Sequence, residues 1–139
     1  MAVMFDRTWY GRLRVGRVEG YCSEAEWLRA DGEINDFKAE LTDFGFVAVK
    51  FWLAISKEEQ HKRFKEREQT PFKRFKITAD DWNNREKGEL YEESVCDMID
   101  RTSTEIAPWT LVEANDKYHA RVKVLMTLSE RIELALDAL

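Results

Sequence analysis

One acid and two bases fall within the run Phe5-Asp6-Arg7-Thr8-Trp9-Tyr10-Gly11-Arg12, close to the start of the chain. Residues 1–5 read as a short apolar strand that ends at Asp6. In open α/β sheets, groups at the carboxyl ends of strands face the ligand crevice. An Asp there can hold Mg²⁺ directly or through water, and Arg7 and Arg12 can clamp phosphate oxygens. The bland alternative is a local pair between Asp6 and Arg7. A chain of this layout is expected to carry a glycine-rich phosphate loop before such a strand, yet no GxxxxGK pattern occurs in the 139 residues.

A second concentration of chemistry lies in residues 62–76. Lys62, Arg63, Lys65, Arg67, Lys73, Arg74 and Lys76 stand there against Glu66 and Glu68, a local balance of +5. Residues 7–17 add Arg7, Arg12, Arg14 and Arg17 without an acid, for +4. The whole chain is nevertheless at −5, so the remainder carries −14. Two cationic patches on an acidic body suit a localised anion and argue against broad nucleic-acid coating.

These groups need a scaffold, and composition permits one. Hydrophobic residues make up 44% and charged residues 35%, with five Trp and eight Phe, as in a single folded domain. No apolar run approaches membrane-spanning length and the first residues lack a signal-peptide layout, so a cytoplasmic location is expected. Cys22 and Cys96 lie far apart and belong to no metal-type cluster, as reduced structural thiols would; His61 and His119 offer no ligand spacing.

The elements follow from punctuation and periodicity. A helix or turn over 10–20 closes at Gly20. Ser23-Glu24-Ala25-Glu26 reads as a capping box opening a helix whose stripe is Trp27, Ala30, Ile34, Phe37 and Leu41, closed at Gly45. Residues 46–53 form a nearly continuous apolar run, expected to be a strand buried on both faces. Ser56-Lys57-Glu58-Glu59 predicts a second capping box and a helix to about Glu68, with Phe64 its one large apolar residue beyond the first turn. Pro71 closes that helix, the alternation Phe72-Lys73-Arg74-Phe75-Lys76 follows, and Thr78-Ala79-Asp80-Asp81 restarts a helix. A face of Tyr91, Val95, Met98 and Ile99 marks residues 88–101. Residues 109–113 form the third strand. Asn115 or Asp116 then caps a last helix with Tyr118, Val122, Leu125, Leu128, Ile132 and Leu136 as its core stripe. This alternation predicts an α/β fold, a parallel sheet covered by helices.

Taken together, FDRTWYGR, RVEGYCSEAEW, VAVKFWLAIS, TPFKRFKIT and IAPWTLVEANDKYHARVKVL resemble the carboxyl-terminal part of family-2 polyphosphate kinases, closest to polyphosphate:AMP phosphotransferases. The resemblance covers essentially the whole chain. It implies a single partial P-loop kinase-like domain over 1–139, truncated at its amino end, with a Walker B strand over 1–6, a lid over about 69–87 and a carboxyl-terminal strand and helix over 109–139. It implies phosphoryl transfer between inorganic polyphosphate and AMP, ADP or ATP, with Mg²⁺, and a homo-oligomer. Asp6 would be the metal-site carboxylate, Arg7 and Arg12 phosphate contacts, and Lys73, Arg74 and Lys76 cations of the lid. Arg67 matches the position of a transition-state arginine, with Arg63 its competitor. Such chemistry needs alignment and positive charge around the transferred group more than covalent help.

The sequence departs from the family pattern in lacking the Walker A glycines and lysine, so little turnover is expected from this polypeptide alone. A strand ahead of Walker A would also lie between residues 2–5 and 46–53, where a gap is therefore expected. Two other readings stand beside the kinase: a non-catalytic polyanion-binding or regulatory remnant, and a single-stranded nucleic-acid binder using Phe72 and Phe75 as stacking platforms. The acidic remainder weighs against the last. Glu113, Asn115 and Asp116 lie where related kinases contact the base, although capping alone explains Asn115 and Asp116.

Overall fold

Local signals for starting and stopping helices account for most of the architecture. The structure, a computed structural model, describes residues 2–6 and 8–138, without the side chain of Arg12. Helix α1 spans Trp9–Val18 and α2 spans Glu24–Asp43. Both end in the same motif: Tyr21 and Gly20 amides close on the Gly16 and Arg17 carbonyls, and Phe46 and Gly45 amides on Leu41 and Thr42. Each needs one left-handed residue, supplied by Gly20 (φ 72°) and Gly45 (φ 84°). The Ser23–Glu26 capping box forms as expected.

Strand β1, Lys50–Ala54, precedes α3, Lys57–Gln69, a 3₁₀ helix over Pro71–Lys76, α4 over Ala79–Glu86 and α5 over Gly88–Thr102. Strand β2, Trp109–Glu113, and α6, Lys117–Asp137, complete the chain. Ser56 caps α3 by accepting from the Glu59 amide. The reciprocal half of that box does not form, because the Glu59 carboxylate accepts from Arg63 Nε at 2.7 Å instead. Thr78 and Asp81 form a full capping box at α4.

β1 and β2 pair in parallel, Lys50 opposite Trp109 through Ala54 opposite Glu113. Alternation along the strands divides the packing between two faces. On one, Tyr10, Val95 and Met98 gather Ile34, Trp52, Ile99 and Trp109, joining α1, α2 and α5 to the sheet. On the other, Val112, Ala114 and Ala120 gather Phe51 and Val124 beneath α6. Phe64 is buried as the anchor of α3, meeting the Trp82 ring of α4 edge-on at 5.1 Å.

Three expectations need correction. Residues 2–5 pair with no strand and Asp6 sits in a bend, with Val3, Met4 and Phe5 all exposed; an apolar run becomes a strand only where a neighbouring ladder takes its amides. The expectation for Met1 lies outside the described residues. The strand predicted over 46–53 starts only at Lys50, opposite the first residue of β2, and is not buried on both faces: Leu53 is exposed. The stripe of α6 is uncovered rather than core, with Val122 at 55% and Leu125 at 63% exposure.

The interior holds an unanticipated group. Lys38 of α2 (2% exposed) and Lys50 of β1 (8%) are both buried, and each Nζ donates to the Thr102 carbonyl at 2.6 Å. That carbonyl ends α5, where the helix leaves carbonyls unpaired and its dipole is negative. Lys50 also lies over the Trp109 ring, 4.7 Å from its centroid. Of the groups facing the pair, the Tyr10 phenol is pushed up to about 12, chiefly by burial. Burial, then the hydrogen bond and charge of Lys38, push Lys50 down to about 6; burial also lowers Lys38.

The folded chain therefore holds fewer protons on this pair than the unfolded chain does. Stability should climb as pH rises from about 6 toward the ordinary lysine value of 10.5. Lys38→Met should raise stability at pH 7 by on the order of 1 kcal/mol or more, with a higher thermal midpoint, and flatten that climb. Melting curves from pH 6 to 9 check both; a midpoint that falls in the variant contradicts this account.

Candidate functional site

Both strands end on the same side, and a hollow opens there. It encloses about 530 Å³ between Ala54, Ile55 and Ser56 after β1 and Glu113, Asn115, Asp116 and His119 after β2. Side-chain bonds hold its rim. Asn115 Oδ1 accepts the Ser56 amide at 2.9 Å, joining the two strand ends. Asp116 accepts the amides of Tyr118 at 2.8 Å and His119 at 3.1 Å, capping α6. Those hydrogen bonds, His119's first, hold its carboxyl below the usual range. Glu113 is likewise lowered, mainly by the hydrogen bond from Lys123 at 2.7 Å.

Arg63 reaches this rim from α3. Its Nη2 donates to the Ala114 and Asn115 carbonyls at 2.8 and 2.9 Å, while Nε is held by Glu59. Its Nη2 donors are thus held by the strand-to-helix turn and its Nε by Glu59. The resemblance named Arg63 as the competitor of Arg67 for the transition-state arginine and as a polyphosphate contact; in the structure it clamps the turn from which α6 begins. The signal was present, because the Glu59–Arg63 spacing of four residues predicts their pairing and orients the guanidinium.

Cations farther along divide by whether the backbone claims them. Arg74 Nε donates to the Glu68 carbonyl at 2.8 Å, folding the 3₁₀ helix back on α3. Lys73 and Lys76 lie over Phe72 and Phe75, at 5.6 and 5.7 Å from the ring centroids. Both rings are largely exposed, 74% and 77%, so they do not hold this segment to the body. Arg67, half-buried at the last turn of α3, has no hydrogen bond or ion pair among the described residues. The structure thus brings Arg67, Lys73, Arg74 and Lys76 together on one hook of α3 and the 3₁₀ helix. Trp82 and Arg85 of α4 pin the hook's base, Arg85 donating to Lys57 O at 2.7 Å and Gln60 Oε1 at 2.9 Å.

The first basic patch is used differently. Arg17 pairs with Asp97 and Glu93 of α5, not with Glu19 or Glu24, and lies over Trp27. Glu19 is taken by Lys87. Arg14 stacks on Trp52 at 4.4 Å. Asp6 is exposed and makes no hydrogen bond or ion pair among the described residues. Arg7 and the Arg12 side chain lie outside the described residues.

Asp6 must be weighed as a place for Mg²⁺. Among the described residues no group of three or more Asp, Glu, His or Cys could hold a metal ion. A single free carboxylate does fit Mg²⁺, which keeps several waters and takes most of its other oxygens from phosphates. No helix among the described residues is long and apolar enough to cross a membrane.

Comparison with known proteins agrees with this layout. The sequence profile of Polyphosphate kinase 2 (PPK2) matches residues 1–138. A polyphosphate:AMP phosphotransferase of Pseudomonas aeruginosa is 64% identical over 132 residues, 95% of this chain and 27% of its own length. An ADP-polyphosphate phosphotransferase of the same organism is 35% identical, over 94% of this chain and 43% of its own. A Pseudomonas aeruginosa crystal structure assigned to polyphosphate kinase 2 superposes with a TM-score of 0.93 at 63% identity, covering 96% of this chain and 29% of that one. The chain therefore spans less than half the length of these relatives.

Arg63→Ala should release the turn after β2. The expected cost is about 1–3 kcal/mol, from unpaired carbonyls and the freed Glu59. Amide exchange at Asn115 to Lys117 should quicken more than elsewhere. Arg63→Lys should recover little, because one ammonium cannot span both carbonyls and the carboxylate. Unchanged exchange in that turn would show that Arg63 does not position it.

Proposed function

The chain belongs to the polyphosphate kinase 2 family, and from that premise we propose that it serves phosphoryl transfer between inorganic polyphosphate and AMP or ADP. The observation that carries the proposal is that Arg67, Lys73, Arg74 and Lys76 share the hook of α3 and the 3₁₀ helix, where the Arg67 guanidinium has no hydrogen bond or ion pair among the described residues. Polyphosphate carries about one negative charge per phosphate, so a row of cations suits it better than one pocket. The printed activity of the 64% identical relative supports AMP as the nucleotide.

Within this reading each group has one task. Lys73 and Lys76 bind polyphosphate oxygens through solvent-facing ammoniums. Arg74, already tethered to Glu68, sets the direction of the hook and offers its remaining donors. Arg67 places its guanidinium beside the transferred group, where charge is spread over three equatorial oxygens. Arg7 and Arg12 contact phosphate. Asp6 holds Mg²⁺, which when bound neutralises phosphate charge. Asn115 and Asp116, at the strand-end hollow, border the nucleotide.

A second reading, a binding module without turnover, is favoured by one fact: the sequence contains no GxxxxGK pattern, so it brings no backbone nest for the phosphates. Two measurements separate the readings. Polyphosphate binding by this chain should weaken steeply with salt, and Lys73→Ala with Lys76→Ala should weaken it at least 10-fold and lower the salt slope by nearly two. Next, the Pseudomonas aeruginosa relative is rebuilt with this sequence in place of its matching segment and assayed for ADP formed from AMP and polyphosphate. Turnover that is lost in Asp6→Asn and Arg67→Ala, with polyphosphate binding kept in Asp6→Asn, supports the kinase. Binding with no turnover supports the module, and salt-insensitive binding removes both.

A further inference from the structure

The junction of Lys38, Lys50 and Tyr10 holds more donors than acceptors. Both lysines are buried, and both Nζ atoms donate to one carbonyl, Thr102 O, at 2.6 Å. Tyr10 adds a third donor. Its ring centroid lies 5.4 Å from Lys50 Nζ, and its buried Oη finds no hydrogen-bond partner of good geometry among the described residues. Buried donors ordinarily find acceptors, and buried cations find a carboxylate. No carboxylate bears on either lysine. Asp31 of α2 bears on Tyr10, but it precedes Lys38 by about 10 Å of helix. The walls are aromatic, with the Trp109 ring 4.7 Å from Lys50 Nζ and 4.9 Å from the Tyr10 ring. What this cluster lacks is one small anion.

The two amines are not equivalent. Burial lowers both, and the hydrogen bond between them then raises Lys38 and lowers Lys50. Of the two, Lys38 is the one that keeps its proton, and Lys50, drawn down to about 6, presents a lone pair at neutral pH. We propose that Lys50 is a carbamylation site: its amine takes up carbon dioxide, and the carbamate is held by the Lys38 ammonium and the Tyr10 hydroxyl. The Lys50 nitrogen attacks the carbon, one C=O electron pair moves onto its oxygen, and the proton released from nitrogen leaves to water. A neutral amine and a neutral gas thus give an anion, with no other reactant. The remaining N–H still donates to Thr102 O, so the end of α5 keeps its partners. A buried ammonium without a counter-ion becomes half of a hydrogen-bonded ion pair. Carbon dioxide suits the place because it is small and uncharged, and it enters without the desolvation that a free anion requires. Lys50, at the first position of β1 and the less buried of the two, is the end from which it is reached.

The test uses the full chain at neutral pH, in buffer freed of carbon dioxide and in isotopically labelled bicarbonate, which supplies it. Alkylation with a trialkyloxonium salt converts a carbamate into a stable ester, and peptide mapping then locates the label. It should fall on Lys50, about 100-fold above an exposed lysine such as Lys62, because each unit of lowered pKa is tenfold in free amine. Bicarbonate should also raise the thermal midpoint, as a ligand of the folded state does. Lys38→Met retains the Lys50 amine and removes the counter-ion; it should cut the label by about 10-fold or more and abolish the bicarbonate effect. Label on Lys50 no higher than on Lys62 would overturn the proposal, as would full labelling of Lys50 in Lys38→Met. So would a bicarbonate shift that persists in Lys50→Met. Should either variant fail to fold, the map of the unaltered chain decides by itself. None of these readouts involves phosphoryl transfer, so the outcome is independent of the kinase reading.

Discussion

Four elements meet at the last residue of α5. The Thr102 carbonyl accepts from Lys38 of α2 and Lys50 of β1. Its hydroxyl donates to Met98 O at 2.6 Å and accepts from the Trp109 indole of β2 at 2.9 Å. Asn35 of α2 adds a bond to the Arg101 carbonyl one residue earlier. A buried helix end cannot leave its carbonyls bare, so β1, β2 and α2 are held in register by what α5 must satisfy. Two ammoniums on one carbonyl, with no carboxylate bonded to either, is an expensive way to do it. Burial draws both lysines down, Lys50 to about 6, and the hydrogen bond and charge of Lys38 add to the shift on Lys50.

The same rule sorts the other cations. A guanidinium that finds two backbone carbonyls, as Arg63 does, becomes part of the frame; one at the same helix's far end that finds none among the described residues, as Arg67 does, stays outside it. These two residues lie one helical turn apart and have the same chemistry. What separates them is that Arg63 faces the turn after β2 and Arg67 lies beyond it. α3 can perform this division because it commits only Phe64 to the interior, and the rest of its surface remains polar.

Helix boundaries were legible because they are local. Ser23 with Glu26, Thr78 with Asp81, Asp116 and the two left-handed glycines each act within a few residues, and β2 fell where its run predicted. The strand expected over 1–6, within its described residues 2–6, and the one expected over 46–49 do not form because ladder pairing depends on a distant neighbour, which an apolar run does not specify. Periodicity likewise identified the apolar side of α6 without saying what would lie against it. Within the site, the hook at 67–76 could be read from charge alone. The Arg63 clamp and the Ser56–Asn115 link could not, because both span more than fifty positions. Lys38 and Lys50 were hidden for a related reason: a lysine in an apolar stretch is ordinarily placed at the surface with its stem buried.

These features together give the chain an inverted economy. Its interior is small and contains charged groups, while Met126, Ile132 and Leu136 face outward. Polar junctions of this kind fix which elements meet, but buried ionic groups contribute little net stability. Stability instead scales with apolar area removed from water, and here much of that area is still exposed. The hook shares this dependence. Arg67 is only as well placed as α3, which leans on the β2 turn through Arg63 and on α4 through Trp82 and Arg85.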